Sequence, residues 1–416
     1  MPKKKHKQSP QARQKILEAQ QRNDYLRKIG FFLKAVTGED VLGLLPQSEI
    51  DTLYKIRVTH VGVEADDGCE VGTGIKEGIK SVVNRWLKQR EKTIAKTGNK
   101  VSLSDYFFFG FVLNICYLDA DKYKNAERVR ELLAEEFEDL EKVFDCFFDE
   151  VYDNIYMYLI MQLNDYTKKY YSFNLEIKQS DDPGRAKYVI KIRTYPAEKT
   201  HLMLNGSKHL AYRVGWTFQQ NSFRWLSVTP AQLGIESAFG NLPIPVYIQV
   251  HALNRLKERA GCIQFAFLNY SSWISLENPT LIRDGDHYLI EFHVGVKIGY
   301  FVASFFEAKL VIRTFLFLTC KGAPEGKRLE KVIGLQMDDS KYLRMDKLST
   351  FMSPMINHNR ELYAIFEKAD CLHLLKLSEE LKAFVKNTNE NSPLELIAQY
   401  LKTDESAINE WIEEEG

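Results

Sequence analysis

From Thr280 to Thr319 the chain reads as four short strands, Thr280–Arg283, His287–Val294, Val296–Phe305 and Lys309–Thr319. Turn residues separate them at Asp284-Gly285-Asp286, near Gly295 and at Glu307. Short strands joined by such tight turns predict an antiparallel meander. Two helices are expected just before it. The first is His251-Ala-Leu-Asn-Arg-Leu-Lys-Glu-Arg259, and the second runs from about Ile263 to Trp273. At ~100° per residue, Ala252, Leu253, Leu256 and Ala260 share one flank, and His251, Arg255 and Arg259 share the neighbouring one. Such a helix can bury one flank on the sheet and offer imidazole and guanidinium groups from the other.

The rest of the chain divides around this segment. Apolar residues recur at three- and four-residue spacing through Ile16–Val36, Ile75–Ile94 and Ala126–Leu163, the last too long for one ordinary helix. Ser104 suits the N-cap of the aromatic helix that follows it. Alternation returns at Tyr171–Lys178 and Lys187–Thr194 around Asp181-Asp-Pro-Gly184, with further short strands near Leu210–Trp216 and Phe223–Val228. The expected organisation is α+β. It comprises a basic disordered tail over 1–10, a helical domain over 11–165, a β-rich domain over 170–325 holding the helix-and-meander unit 246–320, and a helical region over 326–416.

Charge narrows the function. The 56 Lys and Arg balance the 56 Asp and Glu, which argues against a strongly electrostatic nucleic-acid coat. The balance conceals a basic head and an acidic tail, and the tail offers a place for a protein partner. Six scattered cysteines with no Cys-x-x-Cys pair argue against a zinc ribbon or redox dithiol and suit a reducing compartment. No apolar run approaches the ~20 residues needed to span a bilayer, so no membrane is expected and the location is read as cytoplasmic. No phosphate-binding glycine loop, Ser-His-Asp order or nucleophilic cysteine motif is present, and no cofactor or metal is called for.

The His-Ala-x-x-Arg-x-x-x-Arg opening of the first helix, followed by a second helix and a four-stranded meander, resembles the barnase–EndoU–colicin–RelE ribonuclease superfamily, and its small toxin-like members most. The resemblance covers residues 246–320. It implies a metal-independent endoribonuclease with catalytic residues on that helix and on the last strand.

The residues support the chemistry independently. Metal-free RNA cleavage needs a base for the 2′-OH proton, an acid for the 5′-oxygen and cations around the phosphate. His251 titrates in the right range, while Arg255 and Arg259 can grip phosphate oxygens with forked hydrogen bonds. On the last strand, alternation sets Arg313 and Thr319 with Phe315 and Phe317, and Thr314 with Ile312 and Leu316. Arg313 and Thr314 therefore cannot both face the helix, and Arg313, a cation too costly to bury without a partner, is the fourth candidate site residue, with RNA the candidate partner.

Other readings stand beside this one. A His and two Arg along one helix edge also describe a solvated face, with Glu258 as counter-charge, and Arg313 can pair across strands with Glu291 or Glu307. The chain would then be a non-catalytic interaction scaffold or a nucleic-acid-associated regulator. His287, Glu291 and His293 share strand parity as a weak metal-ligand pattern. Residues 392–411 have helix-turn-helix spacing, but Glu410 and Glu413 make its second helix acidic. Lys76, Lys80, Arg85, Lys88, Arg90, Lys92 and Lys96 surround Trp86, a pattern shared by nucleic-acid surfaces and ordinary soluble helices.

Overall fold

The computed structural model describes residues 10–58, 60–179, 186–204, 206–218, 221–234, 242–333, 345–352, 360–377 and 381. The chain is α+β and forms two compact units. The first comprises residues 1–159, 172–194 and 219–221; the second comprises 160–171, 195–218 and 222–416. The proposed helix-turn-helix at 392–411 lies outside the described residues.

The first unit is built around α4 (Leu103–Leu118). Tyr106, Phe107, Phe109, Val112, Leu113 and Cys116 are all buried, so this helix is enclosed on nearly every side. Its cap is Ser102, whose hydroxyl accepts from the Asp105 amide at 3.0 Å, and not Ser104, which is buried in the first turn. The true cap lies one position before the helix, where the backbone is still extended. Around α4 lie α1 (Pro10–Thr37), α2 (Gln47–Lys55), α3 (Thr73–Gln89), α5 (Ala126–Phe137) and α6 (Leu140–Glu150). Gly110 lets α6 approach, since a Cβ there would stand 2.8 Å from Val143.

The stretch 126–163, too long for one ordinary helix, breaks into α5, α6 and α7 (Met157–Leu163), with a π-turn over Val151–Tyr156. The helical reading also missed three strands. β1 (Val61–Ala65) pairs in parallel with β5 (Ala186–Pro196), in a sheet of order β1-β5-β4 with β4 spanning Lys169–Gln179. β2 (Glu91–Thr93) and β3 (Lys100–Ser102) form a hairpin after α3. The free edge of β1 is closed by Asn84, whose side-chain amide exchanges two 3.1 Å hydrogen bonds with the Val61 backbone. A side chain here supplies what a neighbouring strand would have supplied.

The second unit holds an eight-stranded sheet of order β12-β13-β14-β15-β11-β7-β6, with β10 (Ser227–Val228) pairing off β11. The meander is β12 (Leu281–Asp284), β13 (His287–Val294), β14 (Val296–Phe306) and β15 (Lys309–Phe317), at the places the sequence predicts. Beyond it lie β11 (Ile244–Gln249), β7 (Ser207–Arg213) and β6 (Lys199–Leu204), the last a strand that the sequence reading lacked. β11 runs parallel to β15, pairing Val246 with Leu310 and Ile248 with Ile312. A separate hairpin joins β8 (Gly215–Phe218) to β9 (Ser222–Trp225). Against the sheet pack α8 (Val250–Ala260), over β15, and α9 (Phe265–Glu277), over β13. Phe292, Phe301 and Phe315 meet edge to face at centroid distances of 5.0–5.8 Å, filling its centre. α10 (Pro324–Ile333) and α11 (Arg360–Lys368) follow. No described helix is long and apolar enough to cross a membrane.

Candidate functional site on α8 and β15

α8 follows directly from β11, with Gln249 in extended conformation as its N-cap. Ala252, Leu253, Leu256 and Ala260 are buried, so the expected apolar flank does face the sheet. The neighbouring flank carries His251, Arg255 and Arg259, each in a different state.

His251, one residue into the helix, is exposed and has no hydrogen bond or ion pair among the described residues. Arg255 spends its guanidinium on Glu258, with Nη1 to Oε2 at 2.6 Å one turn along. That hydrogen bond, with the positive charges of Arg259 and Lys347 nearby, holds the Glu258 carboxyl below its usual range. Arg259 turns toward the sheet, and its Nη1 donates to the main-chain carbonyl of Phe315 in β15. Its Nε is buried without a partner among the described residues. Burial pushes the neighbouring Cys320 thiol upward, and Arg259 and Arg255 act against that rise.

Arg313 does not sit where simple alternation puts it. The β14–β15 register pairs Ala303 with Ile312 but Val302 with Thr314, so Arg313 is the extra residue of a β-bulge. The bulge resets the parity of the strand. Ile312 therefore shares a face with Phe315 and Phe317, opposite Ala303, Phe301 and Gly299, while Arg313 belongs to neither regular row. Its side chain is half-buried and makes no hydrogen bond or ion pair among the described residues. Neither proposed cross-strand partner is engaged with it. Glu291 binds Lys297 at 3.4 Å and His293 at 3.1 Å, and Glu307 binds Lys309 at 3.5 Å. Because β11 and β15 are parallel, Arg313 lies one step beyond the Ile248–Ile312 pair, at the level where β11 passes into α8.

The bulge thus brings one unpaired guanidinium to the end of β11 from which α8 and His251 begin. Arg255 and Arg259 share the stripe of the helix but are already tied. The same register adds Tyr212 of β7, which pairs with Ile248 in the row containing Ile312 and is half-buried. Nothing in its local sequence sets it apart; only the sheet order places it near the start of α8.

A second polar cluster went unread in the sequence. Glu325, in the first turn of α10, is 1% exposed. It accepts from the Tyr300 hydroxyl at 2.8 Å and from Lys297 Nζ at 2.9 Å, and its other oxygen has no partner. Burial works most strongly against the Lys297 charge, but the hydrogen bonds and charge attraction of Glu325 and Tyr300 together outweigh it and hold the ammonium above its ordinary value. Burial and then Glu325 push the Tyr300 phenol up to about 12. Glu291 is drawn into this network, and among the described residues no group of three His, Cys, Asp or Glu is placed to hold a metal ion. The second unit also contains a cavity of about 550 Å³ lined by Asn164, Lys168, Lys169, Tyr171, Gln264 and Phe265, among others, and none of the four candidate residues lines it.

Comparison of this chain with known proteins returns no matching family model, no matching curated protein and no matching solved structure.

Proposed function

We propose that the α8–β15 surface is the site of a metal-independent endoribonuclease that cleaves RNA by attack of a 2′-OH on the adjoining phosphorus. The observation that carries this reading is the pair of unengaged groups at the β11–α8 junction. His251 is exposed and unpartnered, and Arg313 is half-buried on a bulge without a carboxylate. A cation removed from water without a counter-charge is unfavourable, and a phosphate would supply that charge.

In this mechanism the His251 imidazole takes the 2′-OH proton as the 2′-oxygen bonds to phosphorus. Arg313 holds the non-bridging oxygens as negative charge develops on them. The P–O5′ bond breaks, and the imidazolium returns the proton to the departing 5′-oxygen. The products are a 2′,3′-cyclic phosphate and a 5′-hydroxyl. Arg255 joins by exchanging Glu258 for phosphate, whereas Arg259 acts from its seat on Phe315 as a fixed positive field.

The test is RNA cleavage by the full chain in excess EDTA, with parent, His251→Ala and Arg313→Ala compared. Cyclic phosphate ends are expected, with a loss of about 10²–10⁴-fold in His251→Ala, the usual contribution of a general acid or base. A His251→Ala protein that cleaves at the parent rate removes the proposal.

A second reading draws on the tied arginines. With Arg255 on Glu258 and Arg259 on the Phe315 carbonyl, two of the four candidate groups already serve the fold, as they would in a non-catalytic interaction scaffold. That reading expects no cleavage under any condition, and weak RNA affinity that ignores His251.

A further inference from the structure

The first unit concentrates positive charge in a chain that is neutral overall. From Thr73 to Lys100, covering α3 and the β2–β3 hairpin, eight Lys and Arg stand against Glu77 and Glu91. Lys92 meets Glu136 at 3.9 Å and Lys100 meets Glu91 at 3.6 Å. Lys76, Lys80, Arg85, Lys88, Arg90 and Lys96 form no ion pair among the described residues. Elsewhere in the same unit Arg22, Arg27, Arg128, Arg130 and Arg193 each meet a carboxylate. A generic solvated surface scatters acids among its bases, as those arginines show, whereas α3 and its hairpin set eight cations against two acids.

The geometry of α3 says what approaches it. Ile79, Val83 and Leu87 form the buried face. At ~100° per residue, Gly74, Gly78, Ser81, Arg85 and Lys88 fall within an arc of about 80° on the opposite side. All five are exposed, and a Cβ added at Gly74 or Gly78 would touch nothing within 4 Å. Glycine inside a helix is disfavoured by about 1 kcal/mol relative to alanine, and the fold gains nothing in packing from either. What they create is a shallow strip of bare backbone that runs into two free cations. Between this strip and the apolar face the half-buried Trp86 ring is overlain by Arg90 at 4.4 Å, a cationic and aromatic pair.

We infer that the outer face of α3, with the hairpin after it, is a docking surface for the ribose–phosphate backbone of single-stranded RNA. Phosphate chains are bound by repeated cations that track the backbone, with aromatic groups to stack on and little base readout. An acidic protein would satisfy the cations but has no use for the Trp86–Arg90 platform. The inference rests on the first unit alone; it shares a substrate class with the reading of α8 but needs no cleavage chemistry.

The experiment measures anisotropy of a fluorescein-labelled 2′-O-methyl oligonucleotide, which cannot be cleaved through its 2′-oxygen, titrated with the full chain between 50 and 200 mM salt. The parent is compared with Arg85→Gln/Lys88→Gln/Lys96→Gln, with the corresponding Glu triple variant and with Lys28→Gln/Lys34→Gln, two exposed cations of α1; circular dichroism checks that each is folded. Each phosphate contact contributes about 0.7 to the slope of log K against log salt for a single strand. The Gln variant is therefore expected to lower the slope by about 2 and the affinity at least tenfold, and the Glu variant to go further, while Lys28→Gln/Lys34→Gln binds within about twofold of the parent. The inference is overturned if the parent does not bind, if either triple variant binds as the parent does, if Lys28→Gln/Lys34→Gln loses as much as the triple variant, or if polyglutamate displaces the oligonucleotide at equal charge. Failure of cleavage with intact binding would instead count against the α8 reading alone.

Discussion

Arg259 of α8 donates its guanidinium to the main-chain carbonyl of Phe315, two residues beyond the bulge at Arg313. One arginine thereby anchors the helix to the strand on which the other arginine stands free.

Arg259→Ala should therefore destabilise the protein by about 1–3 kcal/mol, the range for a hydrogen bond made by a charged group. Urea unfolding of parent and variant measures this. An unchanged midpoint would mean that the contact with Phe315 contributes nothing to holding α8 in place.

Arg313→Ala should behave in the opposite way. The side chain has no partner to lose, so stability should change by less than about 0.5 kcal/mol while RNA cleavage falls. A variant that loses stability and keeps full activity would place Arg313 in the structure rather than in the chemistry.

Gly299→Ala is expected to cost about 3 kcal/mol or to prevent folding. A Cβ there would stand 2.2 Å from the Leu316 carbonyl oxygen and 2.6 Å from the Phe315 ring, with rigid backbone as the nearer obstacle. Gly285→Ala should be milder, about 1 kcal/mol, because its φ of +62° is the difficulty and the space around it is open. Thermal melts of the two variants, ranked against each other, check this.

High pH should weaken the second unit through Tyr300 and Lys297. Both fold with raised pKa values, so the folded state holds their protons more tightly than the unfolded chain does. The stabilisation is complete below about pH 10, the ordinary range of both groups, and is lost as pH rises through about 12, where the Tyr300 phenol ionises. Unfolding free energies from pH 9 to 12 should fall less steeply in Tyr300→Phe than in the parent. Equal slopes would show that Tyr300 is not part of the linkage.

The meander was legible from the turn residues between its short strands, and α8 from its helical spacing of apolar residues. Gly285 and Gly295 take the positive φ that their turns need, and Glu307 with Ala308 turns the third hairpin in the same left-handed region. What escaped depended on contacts distant in sequence. β1 alternates over only five residues, Val-Gly-Val-Glu-Ala, too few to stand out between two helical stretches, and its partner lies beyond residue 186. The bulge at Arg313 arises from how β14 and β15 settle against each other, and no single strand's pattern encodes it. Glu325 sits between Gly322 and Gly326, which mark no helix in the sequence, yet Pro324 begins one there and carries the carboxylate into contact with Tyr300. On the candidate site, sequence spacing placed His251, Arg255 and Arg259 on one flank. Only the structure separates the free group from the two that are tied.

The parallel pairing of β11 with β15 also sets an order of assembly. During synthesis the hairpin of β6 and β7 and then β11 leave the ribosome with one side of β11 unmet. Ile248 has no neighbour on that side until Ile312 emerges, after both helices and three further strands. Until then an apolar strand edge stays open to other chains, the condition under which nascent proteins aggregate or recruit chaperones. A ribosome stalled ahead of β15 would hold the sheet at its most adhesive stage, and synthesis of that single strand closes the gap.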